Sequence, residues 1–315
     1  MLRNYLTVAF RNLRRHPSYT AINIAGLTLG MACCLLLFQY VAYETSFDEF
    51  NTKKDRLYRA TFRYTLGEGQ GGVSATNALA FGPTMAQQVP GIVRYARVHP
   101  GYGEAVVSYP GASDSRTFTE QNVLLVDTTF FSMFDYPLVK GRRSRVLRQP
   151  NTMLISESMA QKYFGDEEPV GKTLELTWWE SGTYTVAGVF EDVPPTSHLR
   201  FDFLFPLEGL INSERFEGEG AAWRDECFIT YLEVEKNVNV TALEHQISEA
   251  WETSTPALAS GDTDVQVQLQ PLTDIHLNGE ITAPATRAGD RRLVYFFTII
   301  GLITLVIALV NYVNL

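Results

Sequence analysis

The stretch with the most chemical potential is YFGDEEPVGKTLEL, residues 163–176, which contains a Gly-Lys-Thr triplet after an earlier glycine. A phosphate-binding loop has the form G-x-x-x-x-G-K-[ST], because this spacing lets backbone N–H groups surround the phosphates while the lysine reaches the outer ones. Here five residues separate Gly165 from Gly171, and three of them are acidic. The extra residue disrupts such a loop, and the carboxylates repel an anion. The stretch therefore predicts no nucleotide site, and we expect no cofactor in this chain.

Two other groups of residues have the types that binding or catalysis requires. GEGQGG, residues 67–72, fits the dinucleotide pattern G-x-G-x-x-G, but an acid lies in the loop and no helix opens directly after it. Asp192, Ser197 and His198 lie close together in EDVPPTSH. Nucleophilic catalysis needs such groups to converge in space. Hydrogen bonding within the turn and at a strand edge explains them more simply, so we predict a non-enzymatic chain with no catalytic site.

Histidine and cysteine are too scattered to predict a metal centre. The histidines have no H-x-x-x-H spacing and no cysteine partner. The three cysteines, Cys33, Cys34 and Cys227, are too few for a disulfide framework, and we expect them to be small apolar packing residues.

Charge is distributed very unevenly along the 315 residues, whose formal net charge is −9. This acidic balance argues against a nucleic-acid partner, which would require a basic face. All 35 acidic residues lie within 44–292, whereas 17–43 and 293–315 carry no charge. Each uncharged segment is long enough, at about 1.5 Å per helical residue, to cross a hydrocarbon core of about 30 Å. A buried helix of a soluble protein is the alternative, but it is rarely charge-free for this long, so the sequence predicts two transmembrane helices.

Basic residues before the first apolar segment predict its orientation. Four arginines and no acid precede it, so its N-terminal end should stay in the cytoplasm, with 44–292 in the periplasm and the chain in a bacterial inner membrane. Three arginines next to the second segment favour the reverse weakly, but long acidic domains translocate regardless of such charges. The apolar run is too long for a cleaved signal peptide, which favours an uncleaved anchor. The orienting residues are Arg3, Arg11, Arg14 and Arg15, and the opposing ones are Arg287, Arg291 and Arg292.

The N-terminal residues and the apolar segments also predict contacts with lipid and with other helices. Residues 1–16 place apolar side chains on one helical face and arginines elsewhere, which is typical of an amphipathic helix on the inner membrane surface. A plain cytoplasmic tail is the alternative. Small residues at G-x-x-x-G spacing let helices approach closely. We expect such packing at Gly26 and Gly30 in the first segment and at Gly301, Thr304 and Ala308 in the second.

Periodicity within 44–292 predicts an α+β fold. Each end of this region has two β-prone stretches with a helical stretch between them, and two such β-α-β units around a long insertion predict a ferredoxin-like subdomain. That subdomain would comprise 44–110 and 226–292, with a β-rich subdomain inserted at 111–225. The predicted strands are 57–64, 93–98, 227–235 and 265–270, and the helices begin at Pro83 and at a capping box of Thr241 and Glu244.

The insertion provides a further test of the phosphate-loop pattern. A helix is predicted from Ser156, as its cap, to Phe164, with Gly165 ending it. A strand, TLELTW, follows the Gly-Lys-Thr triplet, whereas in a phosphate loop that triplet opens a helix. Apolar residues alternate in 183–190 and 200–205, which predicts two more strands.

These stretches together resemble MacB-type (FtsX-like) ABC transporter permeases, and more narrowly the large members of Bacteroidetes-type bacteria. The resemblance covers essentially the whole chain, in order. It is carried by YLTVAFRNLRRHPSYTAINIAGLTLGMA, DEFNTKKDRLYR, LISESMAQKYFGDEEPVGKTLEL, YTVAGVFEDVPPTSHLRFDFLFPL and RRLVYFFTIIGLITLVIALVNYVNL.

The resemblance implies an inner-membrane permease whose periplasmic domain, with a porter-like and a β-rich part, lies between its first two helices. Such permeases dimerise, work with a cytoplasmic ATPase that binds the ATP, and transmit its motion to the periplasm for export or mechanotransmission. A periplasmic adaptor or an outer-membrane component is a further expected partner. Family members continue after NYVNL into a cytoplasmic loop and more helices, so we expect this sequence to be the N-terminal portion of a permease. The alternative is a two-span sensor whose periplasmic domain binds a ligand and signals inward.

Overall fold

The structure is a computed structural model, and it describes residues 11, 15, 17–66, 70–110, 116–143, 146–178, 181–212, 216–217, 220–255, 263–279, 281, 283 and 286–313. The described residues form two units. One contains the residues up to Ser46 and those from Gly289 onward, and the other extends from Phe47 to Ala288.

The helices, in chain order, are α1 (Pro17–Glu44), α2 (Phe81–Gln88), α3 (Phe130–Met133), α4 (Glu157–Phe164), α5 (Glu208–Ile211), α6 (Ala221–Arg224), α7 (Val240–Ser254) and α8 (Arg291–Val313). The strands are β1 (Leu57–Leu66), β2 (Gln70–Ser74), β3 (Ile92–Pro100), β4 (Ala105–Tyr109), β5 (Arg116–Glu120), β6 (Val123–Val126), β7 (Leu138–Lys140), β8 (Thr152–Ser156), β9 (Thr173–Thr177), β10 (Ser181–Phe190), β11 (Phe203–Pro206), β12 (Ile229–Val234) and β13 (Thr263–Pro271).

The first unit is a pair of apolar helices. α1 and α8 pack against each other, and both are long and apolar enough to cross a membrane. α1 continues one residue beyond the predicted segment, to Glu44, and α8 begins two residues earlier than predicted, at Arg291. The predicted amphipathic helix of residues 1–16 lies outside the described residues, apart from Arg11 and Arg15, and so do the last two residues of the predicted second span.

The second unit is built on a sheet whose described strands number 13. The strand order is β13-β1-β12-β3-β6-β11-β8-β10-β9-β4-β5, with β2 paired to β1 and β7 paired to β10. β13, β1, β12 and β3 are antiparallel neighbours, which is the order that two interleaved β-α-β units produce. The predicted α+β class with a ferredoxin-like part is therefore confirmed. The subdomain boundaries near 110 and 226 stay predictions, since the sheet continues from β3 into β6.

The helices of the ferredoxin-like part cover one side of its strands. Phe81 and Met85 of α2 and Leu243, Ile247 and Trp251 of α7 are buried in a cluster with side chains of β1, β12 and β13. The spacing of the α7 residues puts them on one helical face, as the sequence predicts. A second core lies under the inserted strands, and a third contains an aromatic group from the segment 130–136.

Two element predictions are wrong in detail. α2 begins at Phe81 rather than at Pro83, because proline is tolerated throughout the first turn, where N–H groups have no acceptor within the helix. The strand predicted at 200–205 is β11, which covers Phe203–Pro206, and its residues are all buried. Leu204 packs into one hydrophobic core, and Phe203 and Phe205 pack into another, so both faces of the strand are buried.

The predicted capping box of α7 is also wrong. The cap is Asn239, whose side-chain oxygen accepts a hydrogen bond from Ala242 N at 3.1 Å. Thr241 lies inside the first turn, and Glu244 accepts from Leu269 N of β13 at 2.7 Å. Asparagine is as good a cap as threonine, and here the earlier residue ends the extended segment before the helix. Glu244 is therefore a link between α7 and β13, the end strand in the sheet order.

Candidate functional site

The Gly-Lys-Thr triplet lies between a helix and a strand, as the sequence predicts. Ser156 caps α4, Gly165 ends it with φ of 60°, and Thr173 opens β9. Lys172 forms an ion pair with Glu167, and its ammonium group donates a hydrogen bond to the Tyr109 hydroxyl at 3.0 Å.

The pairing of Lys172 has an electrostatic consequence. The hydrogen bond between the two side chains raises the pKa of Lys172 and lowers the pKa of Glu167, so both stay charged. The triplet, all of whose residues the structure describes, opens no helix and forms no phosphate cradle. That the chain binds no nucleotide stays a prediction.

A cavity of about 750 Å³ lies along one face of α4. Its polar lining includes Glu157, Asp166 and Glu167, and its apolar lining includes Val139 and Val189. The carboxylates give the cavity an acidic character, which disfavours a phosphate group as its ligand. Lys140 is a cation in the lining, and it is paired with Glu168.

The residues of EDVPPTSH do not converge into a catalytic arrangement. Asp192 accepts a hydrogen bond from Ser158 N at 2.9 Å, and Ser197 Oγ hydrogen-bonds the Tyr136 hydroxyl at 2.8 Å. The turn itself forms as expected, because Ser197 N donates to Pro194 O at 3.0 Å. The expectation that these side chains bond locally is wrong. Their partners are distant in sequence and are brought in by the fold.

His198 is the centre of a buried polar network. Its Nδ1 lies 2.8 Å from Asp48 Oδ1, and its Nε2 lies 2.7 Å from the Tyr231 hydroxyl. The three side chains are fully buried. Burial raises the pKa of Tyr231, so the hydroxyl stays protonated and donates a hydrogen bond to His198 Nε2. We therefore assign the ring hydrogen to Nδ1, from which it is donated to the Asp48 carboxylate.

Asp48 is held by backbone as well as by the histidine ring. Its N–H donates to Thr196 O at 2.8 Å, and its carboxylate accepts from His198 N at 3.3 and 3.4 Å. Its backbone has φ of 61°, in the left-handed region, which few residues other than glycine, asparagine and aspartate adopt. Asn51 Nδ2 donates to Asp48 O, and Asn51 Oδ1 accepts from Asp135 N. These contacts fix the carboxylate at the end of the turn 194–199.

A buried cation lies in the same core. Arg59 is fully buried, and its Nε and Nη2 donate to Gln270 Oε1 at 3.0 and 2.6 Å. It lies opposite Tyr231 in the register of β1 and β12. Burial lowers the pKa of Arg59, and its Nη1 has no hydrogen-bond partner in the part of the chain that the structure describes. A buried charge of this kind is costly.

The turn 194–199 also contacts the residues that precede α8. His198 O accepts from Arg287 N at 2.8 Å, and Leu199 forms an antiparallel bridge with Thr286. The Arg287 guanidinium donates to Pro195 O, and Arg287 O hydrogen-bonds His276 Nδ1 at 3.2 Å. One short turn thus bonds both to the residues after α1 and to the residues before α8.

A second polar cluster lies where β1, β12 and β3 are in register. The Glu233 carboxylate is almost fully buried and is paired with Lys53, Arg56 and Arg94, at 3.2 Å from Lys53 and 3.1 Å from Arg94. Three cations around one buried carboxylate satisfy its acceptor sites. The cluster fastens the start of β1 to its neighbours.

The predicted helix-packing residues lie along α1 and α8. A Cβ atom placed on Gly30 would lie 3.4 Å from Ala308 Cβ, one on Gly26 would lie 3.4 Å from Asn311 Nδ2, and one on Gly301 would lie 3.3 Å from the Phe38 ring. Thr304 is half-buried, and its hydroxyl donates to Ile300 O of its own helix. The structure thus brings Gly30 and Ala308 together, whereas Thr304 bonds within α8.

The remaining candidate residues take no part in these clusters. Arg11 and Arg15 are exposed, and Arg3 and Arg14 lie outside the described residues. Within GEGQGG, Gly67 and Gly69 are also outside them, and Gly72 lies in β2 opposite Tyr64 of β1. No group of three or more His, Cys, Asp or Glu among the described residues is placed to hold a metal ion.

Sequence reasoning missed Asp48, Arg59, Tyr136 and Tyr231. Arg59 gave the best available signal, because it interrupts the apolar stretch LYRATF, in which both faces of the strand turn out to be buried. A charged residue at such a position needs a partner inside the protein. The identity of the partner could not be predicted, since Gln270 is 211 positions away.

Comparison with known proteins found a family model and several solved structures that match this chain. A family model described as a MacB-like periplasmic core domain matches residues 20–250. A domain of a protein described as a permease, from Porphyromonas gingivalis, is similar in structure, with 23% identity, a TM-score of 0.59, and coverage of 79% of this chain and 98% of that one. At this identity the similarity concerns the fold.

Two other solved structures are similar over less of the chain. The periplasmic region of MacB from Actinobacillus actinomycetemcomitans has 16% identity and a TM-score of 0.43, covering 65% of this chain and 87% of that one. The extracellular domain of the ABC-type transporter YknZ from Gram-positive bacteria has 13% identity and a TM-score of 0.43, covering 67% of this chain and 99% of that one. No curated protein matches this chain.

Proposed function

The chain belongs to the MacB-like periplasmic core domain family, and from this premise we propose that it transmits ATP-driven motion across a bacterial inner membrane as the permease subunit of an ABC transporter. The observation that carries the proposal is the family match over residues 20–250, which begins inside α1 and ends inside α7. The match therefore includes a helix long enough to cross a membrane, together with most of the second unit, Phe47–Ala288, which we call the outer domain. Such a subunit would receive motion through its membrane helix and pass that motion to its domain outside the membrane.

The ATPase of the proposed transporter is a separate cytoplasmic subunit. Around Gly171, Lys172 and Thr173 the chain lacks the geometry that a phosphate needs, and carboxylates line the nearby cavity. ATP would therefore bind to the partner, and this chain would respond to it mechanically. We further propose that the permease acts as a dimer, with a periplasmic adaptor or an outer-membrane component as additional partner, in export or in mechanotransmission to the envelope.

The proposed orientation rests on charge. Arg3, Arg11, Arg14 and Arg15 precede α1 without an acid among them, and the positive-inside rule keeps such a segment in the cytoplasm. The outer domain, from Phe47 to Ala288, would then lie in the periplasm, and lipid would surround α1 and α8. Most of the large apolar side chains of these helices are exposed in the structure, as contact with lipid requires.

Co-purification tests the proposed partner. We expect the protein, extracted from its native membrane in a mild detergent, to bring down a cytoplasmic ATPase, detected by mass spectrometry and by ATP hydrolysis in the eluate. An unrelated membrane protein with the same affinity tag is the control. Repeated recovery without an ATPase would contradict the proposal, and recovery of a signalling kinase instead would favour the two-span sensor.

A further inference from the structure

The turn 194–199 bonds to two segments that lie at opposite ends of the outer domain's sequence. We define the incoming segment as residues 47–52, which follow α1, and the outgoing segment as residues 286–288, which precede α8. Both segments belong to the second unit, as does the turn. The chain therefore leaves one apolar helix, reaches this turn within a few residues, and returns to the same turn just before the other helix begins.

The incoming segment is held through Asp48 by both backbone and side chain. Asp48 N donates to Thr196 O at 2.8 Å, and the carboxylate accepts from His198 N and lies 2.8 Å from His198 Nδ1. Both residues are fully buried, so water does not compete for these bonds. Phe47 adds a stacking contact with the His276 ring, with a centroid distance of 3.3 Å.

The outgoing segment is held through the backbone of the same histidine. His198 O accepts from Arg287 N at 2.8 Å, and the Arg287 side chain donates to Pro195 O. Arg287 O in turn hydrogen-bonds His276, whose ring stacks on Phe47. The two segments are thus joined by two routes, one through His198 and one through His276.

The far side of His198 fixes the turn to the sheet. Its Nε2 accepts from the hydroxyl of Tyr231, which lies in β12 between β1 and β3. Ser197 Oγ is bonded to Tyr136 in the aromatic core. The prolines at 194 and 195 restrict the backbone of the turn, because the ring of each proline fixes its φ angle.

We propose that residues 194–199 are a clasp that makes the incoming and outgoing segments move as one body, with His198 as its positioning residue. The proposal deepens the proposed function, on which it rests for its role in transmission: displacement of α1 or of α8 would reach the sheet at one shared place. A domain held at two independent points would be deformed by unequal movement of the two helices. A domain held at one clasp would be carried as a whole.

Hydrogen exchange on the full chain in a lipid nanodisc, followed by mass spectrometry, tests the coupling directly. Asp48→Asn weakens the bond to His198 in the incoming segment only. If the clasp couples the segments, the amide of Arg287 in the outgoing segment should also exchange faster, by about tenfold or more, as ordinary coupling between sites produces. Faster exchange at Asp48 with no change at Arg287 would overturn the proposal.

A matched control separates coupling from general loosening. Asp127→Asn weakens another largely buried carboxylate contact, to Arg97, which takes no part in the clasp. This variant should leave exchange in both segments unchanged. An equal acceleration at Arg287 in the control would also overturn the proposal.

If Asp48→Asn fails to fold, a substitution in the outgoing segment tests the same coupling from the other side. Arg287→Ala removes a partly exposed side chain and its bond to Pro195 O, and it should accelerate exchange of the Asp48 amide, whose acceptor is Thr196 O. An unchanged Asp48 amide in this variant would overturn the clasp by itself. No ATPase is needed for either measurement, so a failure of the clasp and a failure to recover an ATPase remain distinct results.

Discussion

Several buried ionisable side chains among the described residues have a partner at hydrogen-bond distance. Asp48 faces His198, Glu233 faces three cations, and Arg59 faces Gln270. Removing one member of such an arrangement leaves the other buried and uncompensated, which costs more than the arrangement contributes in net stability. The network around His198 therefore specifies one geometry for the ends of the domain.

Buried tyrosines predict a sharp alkaline transition. Burial raises the pKa of Tyr136, Tyr163 and Tyr231, and the Glu120 carboxylate raises that of Tyr163 further. A raised folded-state pKa gives stability that is full below the unfolded-state value, about pH 10, and is lost as pH rises above it. We expect these three to ionise only as the protein unfolds, giving a cooperative step in tyrosinate absorbance that coincides with the loss of folded structure. Tyr231→Phe should reduce that step, and a single smooth titration near pH 10 would contradict the prediction.

The ends of the helices show which caps are determined by neighbouring residues and which depend on tertiary contacts. Ser156 and Gly165 end α4 by rules that act within a few residues, and the sequence predicts both. At α7 the structure selects Asn239 over Thr241, and it uses Glu244 to bond an N–H of β13. Ser248 does the same for Val267 N. These two side chains cover part of the end strand, a position at which unpaired donors promote association with other chains.

The cap of α7 can be tested by a pair of substitutions. Asn239→Ala should lower the free energy of unfolding by about 1 kcal/mol, because a helix N–H loses its acceptor. Thr241→Ala is the matched control and should have almost no effect. Urea titration of the full chain, monitored by the fluorescence of buried Trp251, measures both. A larger loss for Thr241→Ala than for Asn239→Ala would restore the capping box predicted from the sequence.

The close approach of α1 and α8 can be tested by cross-linking. With the native cysteines replaced by serine, Gly30→Cys and Ala308→Cys should form a disulfide under mild oxidation in the membrane, because their Cβ atoms would lie 3.4 Å apart. Gly30→Cys with Leu302→Cys, where Leu302 is exposed on α8, is the control and should not cross-link. Equal cross-linking of both pairs would indicate that the helices do not keep this contact.

At the scale of the whole molecule, membrane orientation determines which compartment the outer domain meets. We expect Thr119→Cys, at an exposed position of β5, to react with an impermeant thiol reagent in intact spheroplasts. Leu2→Cys should react only after lysis. Thr119 is a better site than Cys227, which is half-buried. Labelling of Leu2→Cys alone in intact spheroplasts would reverse the proposed orientation.

The sequence by itself determined the features that depend on composition or on neighbouring residues. Charge-free segments predict α1 and α8 to within two residues at the ends that are described, and alternation predicts β10 and β13. The order of strand and helix patterns predicts the ferredoxin-like part, because short connections allow few topologies. The extra residue and the acids before Gly171 argue against a phosphate loop from the sequence alone.

Only the tertiary structure decided which distant residues meet. Both faces of β11 are buried, because Leu204 packs into one core while Phe203 and Phe205 pack into another. His198 lies 150 positions from Asp48 and 33 from Tyr231, and no local pattern encodes those pairings. A hydrogen bond in the core depends on where whole strands are placed, and strand placement is decided by the burial of many apolar side chains together. The joining of both domain ends at one turn is therefore a property of the packed fold.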